Sequence, residues 1–413
     1  MKLMGEKGFT LTELIVAVFI MAAIMASVIG AFITLSRNVK IEAKGAETQV
    51  EDVLGLELLR YDIEMAGYGL PTSITAPPAL GVAYTEAAAA SAALYPNLAN
   101  FVPNQFTIGP NAFNDVSNEP RALIFSTNGH AGADSAAYND TDVLVIKSQI
   151  SAQNTVARKW SIRYCNTVDS SSCRNQQWND ATGDYTSNRD FYPGNRVIVV
   201  AQNTKTLVTS PGGTWSFTLS QWPDPTNTAG LPNPSYFNMF LIYGVDNVTD
   251  TVNPTLSRPF NRVDYYLQRD TRNFPARCHP NSYTLYRGVV DQTVNGVRQE
   301  QPIMDCVVDF KAVFGLDTNF DYVVDTWVNS KNAVWNLSTA AMVRQYIREA
   351  RVYILTHDGG KDPDYTFKGG SITYDGAAYN AKTFPFDNTT LPGYQNYRWK
   401  LLKLAVKTVN IVQ

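Results

Sequence analysis

The chain has 413 residues, 45% of them hydrophobic, with 22 tyrosines and a formal net charge of −3. That apolar and aromatic content excludes a disordered stalk, and the weak charge gives no reason to expect a nucleic-acid surface. The length leaves room for one large domain or two joined lobes behind any N-terminal segment.

Lys2 and Lys7 form a short basic leader that ends at Gly8. Phe9 follows, then one carboxylate, Glu13, and then 22 residues, 14–35, without a formal charge. A helix of that length rises about 33 Å, enough to cross the hydrocarbon core of a bilayer. The basic leader favours the cytoplasmic side, which puts the rest of the chain beyond the membrane. A secretory signal is cut after its apolar stretch. Here the plausible cut, Gly8–Phe9, lies before it and leaves the apolar segment on the mature chain.

Gly8, Phe9, Thr10, Leu11, Thr12 and Glu13 resemble, position by position, the class III signal of type IV prepilins and type II secretion pseudopilins. In that pattern Gly precedes Phe or Met, and a hydrophobic helix carries Glu at its fifth residue. The resemblance implies prepilin peptidase as a partner, N-methylation of Phe9, inner-membrane insertion with a periplasmic body, and assembly with other major and minor pilins. It also implies that Glu13 neutralises the N-terminal amine of a neighbouring subunit. A plainer reading of Glu13 is an acid placed at the first helical turn.

After Ser36 the pattern turns amphipathic. Val39, Val50, Val53, Leu54, Leu58 and Ile63 mark an apolar stripe, and Lys40, Glu42, Lys44, Glu47, Glu51, Asp52, Glu57 and Arg60 fall on the other faces. No proline interrupts residues 1–70, and Gly67-Tyr68-Gly69-Leu70-Pro71 is a stop signal. One continuous helix is therefore expected over 9–66, about 85 Å long. Its stripe should pack on the body, and Gly30 is a place where it could locally melt or pack closely.

The body shows short β-branched and aromatic runs at 122–126, 142–148, 196–201, 238–243, 262–267, 283–287, 303–314, 349–356 and 399–411. Long loops separate them at 71–120, 180–193, 209–234 and 359–393. Helical turns are suggested at 86–94 and 339–346. No helices alternate with the strands, so the fold class is α+β: a long N-terminal helix on an antiparallel sheet. The organisation expected is a leader at 1–8, a transmembrane and filament-core half-helix at 9–35, an amphipathic half at 36–70 and a β-rich body at 71–413.

Four cysteines lie in that body, in what should be an oxidising compartment. Three connectivities are open. Proximity favours Cys165–Cys173 and Cys278–Cys306, each worth about 2–4 kcal/mol. Leu59 to Tyr68 (LRYDIEMAGY), Thr141 to Ile146 and Val406 to Asn410 resemble segments of PilW-like minor pilins, although Glu64 stands where that family commonly has arginine. A pseudopilin of the GspJ kind shares the architecture but is usually shorter.

Asp317, Asn319, Asp321, the Val323 carbonyl and Asp325 fall at spacings that suit calcium and resemble EF-hand-like loops. Tyr322 replaces the usual glycine and Val328 the closing glutamate, so a plain Asp/Asn-rich hairpin turn is the competing reading. No GxSxG, HExxH, Walker A, GxGxxG or CxxCH sequence occurs, and His130, His279 and His357 are scattered. Catalysis and a required cofactor are therefore not expected, nor a nucleic-acid partner. The functions left are a structural minor pilin that primes or caps a pilus, a tip adhesin, and a secretion pseudopilin.

Overall fold

The computed structural model describes residues 10–74, 86, 114–115, 119–127, 141–178, 189–210, 213–222, 230–247, 256–268, 274–292, 298–329, 337, 339–374 and 383–411. Gly8, Phe9, His130 and most of the expected 86–94 turn lie outside them.

Helix α1, Leu11–Glu64, is one uninterrupted rod of 54 residues, about 80 Å long. Thr10 caps it. The Thr10 hydroxyl accepts from the Glu13 amide, and Glu13 reaches back to the Thr10 amide, closing a capping box. After Met65 the chain turns at Gly67, whose φ is +83°. A Cβ there would lie 2.9 Å from the Asn410 carbonyl oxygen. Both the left-handed backbone and the close approach require glycine.

The main sheet runs β1 (Leu123–Thr127), β2 (Asp142–Ser148), β8 (Asn261–Gln268), β9 (Tyr283–Val290), β10 (Arg298–Leu316), β12 (Ile347–Asp358) and β15 (Arg398–Lys407), with β11 (Thr326–Asn329) also paired to β10. All of these pairings are antiparallel. α1 lies on one face, where Leu59, Ile63 and Ala66 meet Leu144, Ile146, Tyr265, Phe310 and Phe314. On the opposite face Tyr353, Leu355, Phe384, Phe386 and Trp399 form a second cluster.

Between β2 and β8 the chain inserts a second antiparallel sheet: β3 (Trp160–Cys165), β4 (Cys173–Asn175), β5 (Asn195–Ala201), β6 (Ser216–Thr218) and β7 (Phe240–Asn247), in the order β4-β3-β7-β5-β6. Its faces carry their own clusters, one around Ile198, Tyr243 and Phe260 and one around Val197, Ile242 and Trp222. A small pair, β13 (Ser371–Thr373) with β14 (Thr383–Pro385), and helix α2 (Ala340–Tyr346) complete the described strands and α-helices.

Three expectations need correction. The last strand ends at Lys407 instead of residue 411, because Asn410 turns inward and donates from Nδ2 to the Glu64 carbonyl at 2.8 Å. β3 was missed, since its inward position 163 is an arginine, buried and satisfied by Asn175 and Asn233. The third correction concerns α1. Its seating stripe is Thr48, Asp52, Leu59, Asp62 and Ile63, continued by Ala66 just past its end; of the expected stripe Ile63 is buried, whereas Val39, Val50, Val53 and Leu54 are exposed.

Candidate functional site

The site is α1 and the surface that holds it. In its first half every residue from Leu11 to Leu35 is exposed, and by length and composition the helix can cross a membrane. Two of the polar side chains there bond back to their own helix. Ser27 donates to the Ile24 carbonyl at 2.7 Å and Thr34 to the Gly30 carbonyl at 3.0 Å, so neither needs water. Glu13 sits at the start of this stretch. Its Oε2 accepts from the Thr10 amide at 2.9 Å and the Thr10 hydroxyl at 2.8 Å. The carboxylate is thus folded back onto the helix N-terminus, one residue from Phe9.

The second half docks in two chemically different zones. Near the uncharged segment the contacts are ionic. Arg37 pairs with Asp364 at 2.9 Å, Asp52 with Lys400 at 2.6 Å, and Glu51 with Arg277, which also holds Asp305 at 3.1 Å. Lys400 bonds Asp358 as well. Burial raises the Asp52 carboxyl, and Lys400 opposes that shift.

Nearer the C-terminus of α1 the contact is apolar around one buried acid. Asp62 Oδ2 accepts from Arg287 Nε at 2.7 Å and from the Tyr265 hydroxyl at 2.6 Å, and all three residues are buried. Burial alone would lower the Arg287 pKa, but the Asp62 carboxylate more than offsets it and the guanidinium stays charged. Burial beside that acid also pushes the Tyr265 hydroxyl well above its ordinary range. Asp62 lies inside a recognised segment, but Tyr265 and Arg287 are more than 200 residues away, and local periodicity cannot reveal them.

Outside the helix seat, the opposite face of the sheet buries a second ionic network. Lys147 meets Glu86 at 2.7 Å and Asp115 at 2.5 Å, and Arg262 and Arg298 converge on Asp264. Burial favours a protonated Asp264, but the two arginines hold its carboxyl below the usual range. The sequence offered no signal for this cluster.

The acidic segment forms the β10–β11 hairpin loop. Asp317 accepts from the amides of Asp321 and Tyr322 and from Arg348 Nε. Asp325 accepts from the Thr318 and Asn319 amides, and Asp321 from the Val323 amide. Phe320 and Tyr322 both adopt positive φ, near +65°. The five residues proposed as calcium ligands therefore share one loop, but its carboxylates bind loop donors and an arginine. Among the described residues, no group of three or more His, Cys, Asp or Glu side chains is placed to hold a metal ion.

Cys165 pairs with Cys173 and Cys278 with Cys306. The first bridge joins directly opposed residues of β3 and β4. Beside the second, His357 is fully buried within β12, and its Nε2 accepts from the His279 amide at 2.9 Å. The rings of Tyr397 and Trp399 pack against both histidines.

Residues 3–29 match the prokaryotic N-terminal methylation motif, and residues 264–410 match the family described as Type IV Pilus-assembly protein W. Over those two stretches the chain is similar to that pilus-assembly family and to the methylated N-termini of prepilins. Neither a curated protein nor a solved structure matches it. The PilW match begins inside β8 and ends at Asn410, so it spans the part of the main sheet that carries Arg287, Lys400 and Asn410, which hold α1. The inserted sheet, β3 to β7, falls outside both matches. Both families are pilus proteins rather than enzymes, and the matches support a minor pilin-like subunit.

Proposed function

We propose that this PilW-like chain is a minor pilin that is inserted in the inner membrane with its body in the periplasm. Prepilin peptidase cuts it between Gly8 and Phe9, and it then joins other pilins at the tip or in the priming complex of a type IV pilus. The single observation carrying this reading is the helix: one rod whose exposed first half, without a formal charge after Glu13, suits a bilayer or a filament core and whose second half is seated on the body. The inserted sheet supports a tip position, because a body this large would crowd neighbours within a shaft. Glu13 accepts from the amide of Thr10, the residue after the one that cleavage would leave with a free amine, which supports its pairing with an N-terminus.

Mass spectrometry of the native protein tests the processing. The reading requires a methylated Phe9 at the start; Met1, or a start beyond Leu35, overturns it. Glu13→Ala should leave insertion and processing intact and reduce incorporation into pili. The acidic hairpin is read as a braced turn, and calorimetric binding of calcium by the full chain tighter than about 1 mM would restore the metal reading.

An adhesive tip module is the second reading. It is favoured by Val168, Tyr236, Phe237 and Met239, exposed large apolar side chains on loops of the inserted sheet. The Cys165–Cys173 bridge lies close by, with Cys165 Sγ 3.1 Å from the Pro234 carbonyl. Removing these loops should then abolish attachment and spare piliation.

A further inference from the structure

Part of the apolar stripe of the second half of α1 does not face the body. Val50 is 70% exposed, Val53 62% and Leu54 71%. Beside Leu54 the helix comes so close to β10 that a Cβ on Gly55 would lie 2.6 Å from the Ile303 carbonyl oxygen. β10 is irregular there, with register shifts between Pro302 and Met304 and between Met304 and Val307. Helix and strand enclose a groove of about 410 Å³ lined by Leu54, Gly55, Leu58, Pro302, Ile303 and Met304, with Glu51 and Asp305 at its margin.

Lipid is a poor cover for this groove. Leu54 lies 19 residues beyond Leu35, roughly 28 Å along the helix axis from the end of the uncharged segment. The space admits several apolar side chains but not a whole helix, whose diameter is about 10–12 Å. It therefore fits one ridge of residues at i, i+3 and i+4. The charge around it is also one-sided. Glu47, on the same face as Leu54, joins Glu51 and Asp305, while Arg277 is already shared between the last two. Burial raises the Glu51 carboxyl, and its neighbours Asp305 and Glu47 add to the shift against the pull of Arg277. A cation arriving beside the groove would relieve that crowding.

We propose that this groove seats an apolar ridge, flanked by Lys or Arg, from the helix of another pilin-type subunit. The inference rests on the minor-pilin reading and adds a place and a chemistry for one contact. Because Leu54 is largely exposed, Leu54→Glu should leave the fold intact, with processing and membrane level unchanged. Its amount in sheared pili should fall about tenfold, the factor produced by ~1.4 kcal/mol of lost docking energy. A photo-crosslinking residue at position 54 of the full chain should form an adduct with a second chain bearing a methylated pilin N-terminus. If the unaltered chain never reaches sheared pili, the minor-pilin reading and the groove both fall. If it does, and Leu54→Glu is equally abundant, the groove alone is overturned. Adducts confined to phospholipid or to a non-pilin protein, or no adduct at all, overturn it equally.

Discussion

Asp62 ties α1 to residues far downstream, and its removal leaves Arg287 charged and buried with Ser151 and Gln301 as its remaining acceptors. Breaking a buried pair on one side costs about 3–5 kcal/mol, more than an exposed pair contributes. Asp62→Ala should therefore lower the denaturant midpoint of the full chain in detergent by a corresponding amount, and Asp62→Ala with Arg287→Met should cost less than the sum of the two. Strict additivity would show that the pair does not act as a unit. His357 gives a different signature. Burial pushes its pKa down from 6.5 to about 3, so the folded state holds the neutral ring. That contribution is complete above pH 6.5 and is lost as pH falls toward the folded value, at about 1.4 kcal/mol per pH unit. The lowered carboxyls of Asp115, Asp264 and Asp362 weaken the fold in the same sense, but only below their ordinary value of 3.8. Asp52, whose carboxyl is raised, acts in the opposite sense. Comparing wild type with His357→Gln cancels both, and Gln retains an acceptor for the His279 amide. The stability difference should be constant above pH 6.5 and shift against wild type below it; a flat difference to pH 4 would refute the assignment.

At the scale of elements, α1 is held by ion pairs at one end of its seat and by apolar packing at the other. Partly exposed pairs such as Arg37–Asp364 are worth about 0–1 kcal/mol and are screened by salt, whereas Leu59, Ile63 and Ala66 are removed from water altogether. Hydrogen exchange should therefore be faster over residues 37–52 than over 59–66. Raising salt to about 0.5 M, where the Debye length is only a few ångströms, should widen the gap. Equal, salt-independent protection would contradict this division. The division also explains why the helix was legible as a rod but not in its rotation. The absence of proline and the Gly-Tyr-Gly stop define its length, whereas the valines and Leu54 suggested a buried stripe that the body does not cover. The seating face uses Thr48, Asp52 and Gly55, which no hydrophobic pattern marks. Strands β2, β5, β8 and β12 were readable from β-branched and aromatic runs, and β3 was hidden by Arg163 at an inward position. The N-terminal methylation motif was legible because its residues are contiguous; the Asp62 seat, the Lys147 network and the groove depend on contacts between distant segments.

For the whole molecule, the inserted sheet behaves as an addition to a complete frame. β2 and β8 are adjacent in the main sheet, with Ser148 paired to Asn261, although the insertion separates them in sequence. The cluster beneath α1 takes no side chain from β3 to β7. Replacing residues 154–256 by a turn of about 4–6 residues should reconnect β2 to β8 as a hairpin. The deletion keeps Ser151, the Asp62–Arg287 pair and the Cys278–Cys306 bridge. It uncovers Tyr68, Leu70 and Phe260, which pack on the inserted sheet, at about 1.5–3 kcal/mol per large side chain fully re-exposed. The expected product is a less stable chain with one cooperative unfolding transition, still processed and still membrane-inserted. A chain that cannot fold without the insertion would show that the two sheets form one cooperative unit. If the deletion folds, its piliation separates the two functions: loss of pili assigns the insertion to assembly, and normal pili with lost attachment assign it to contact at the tip.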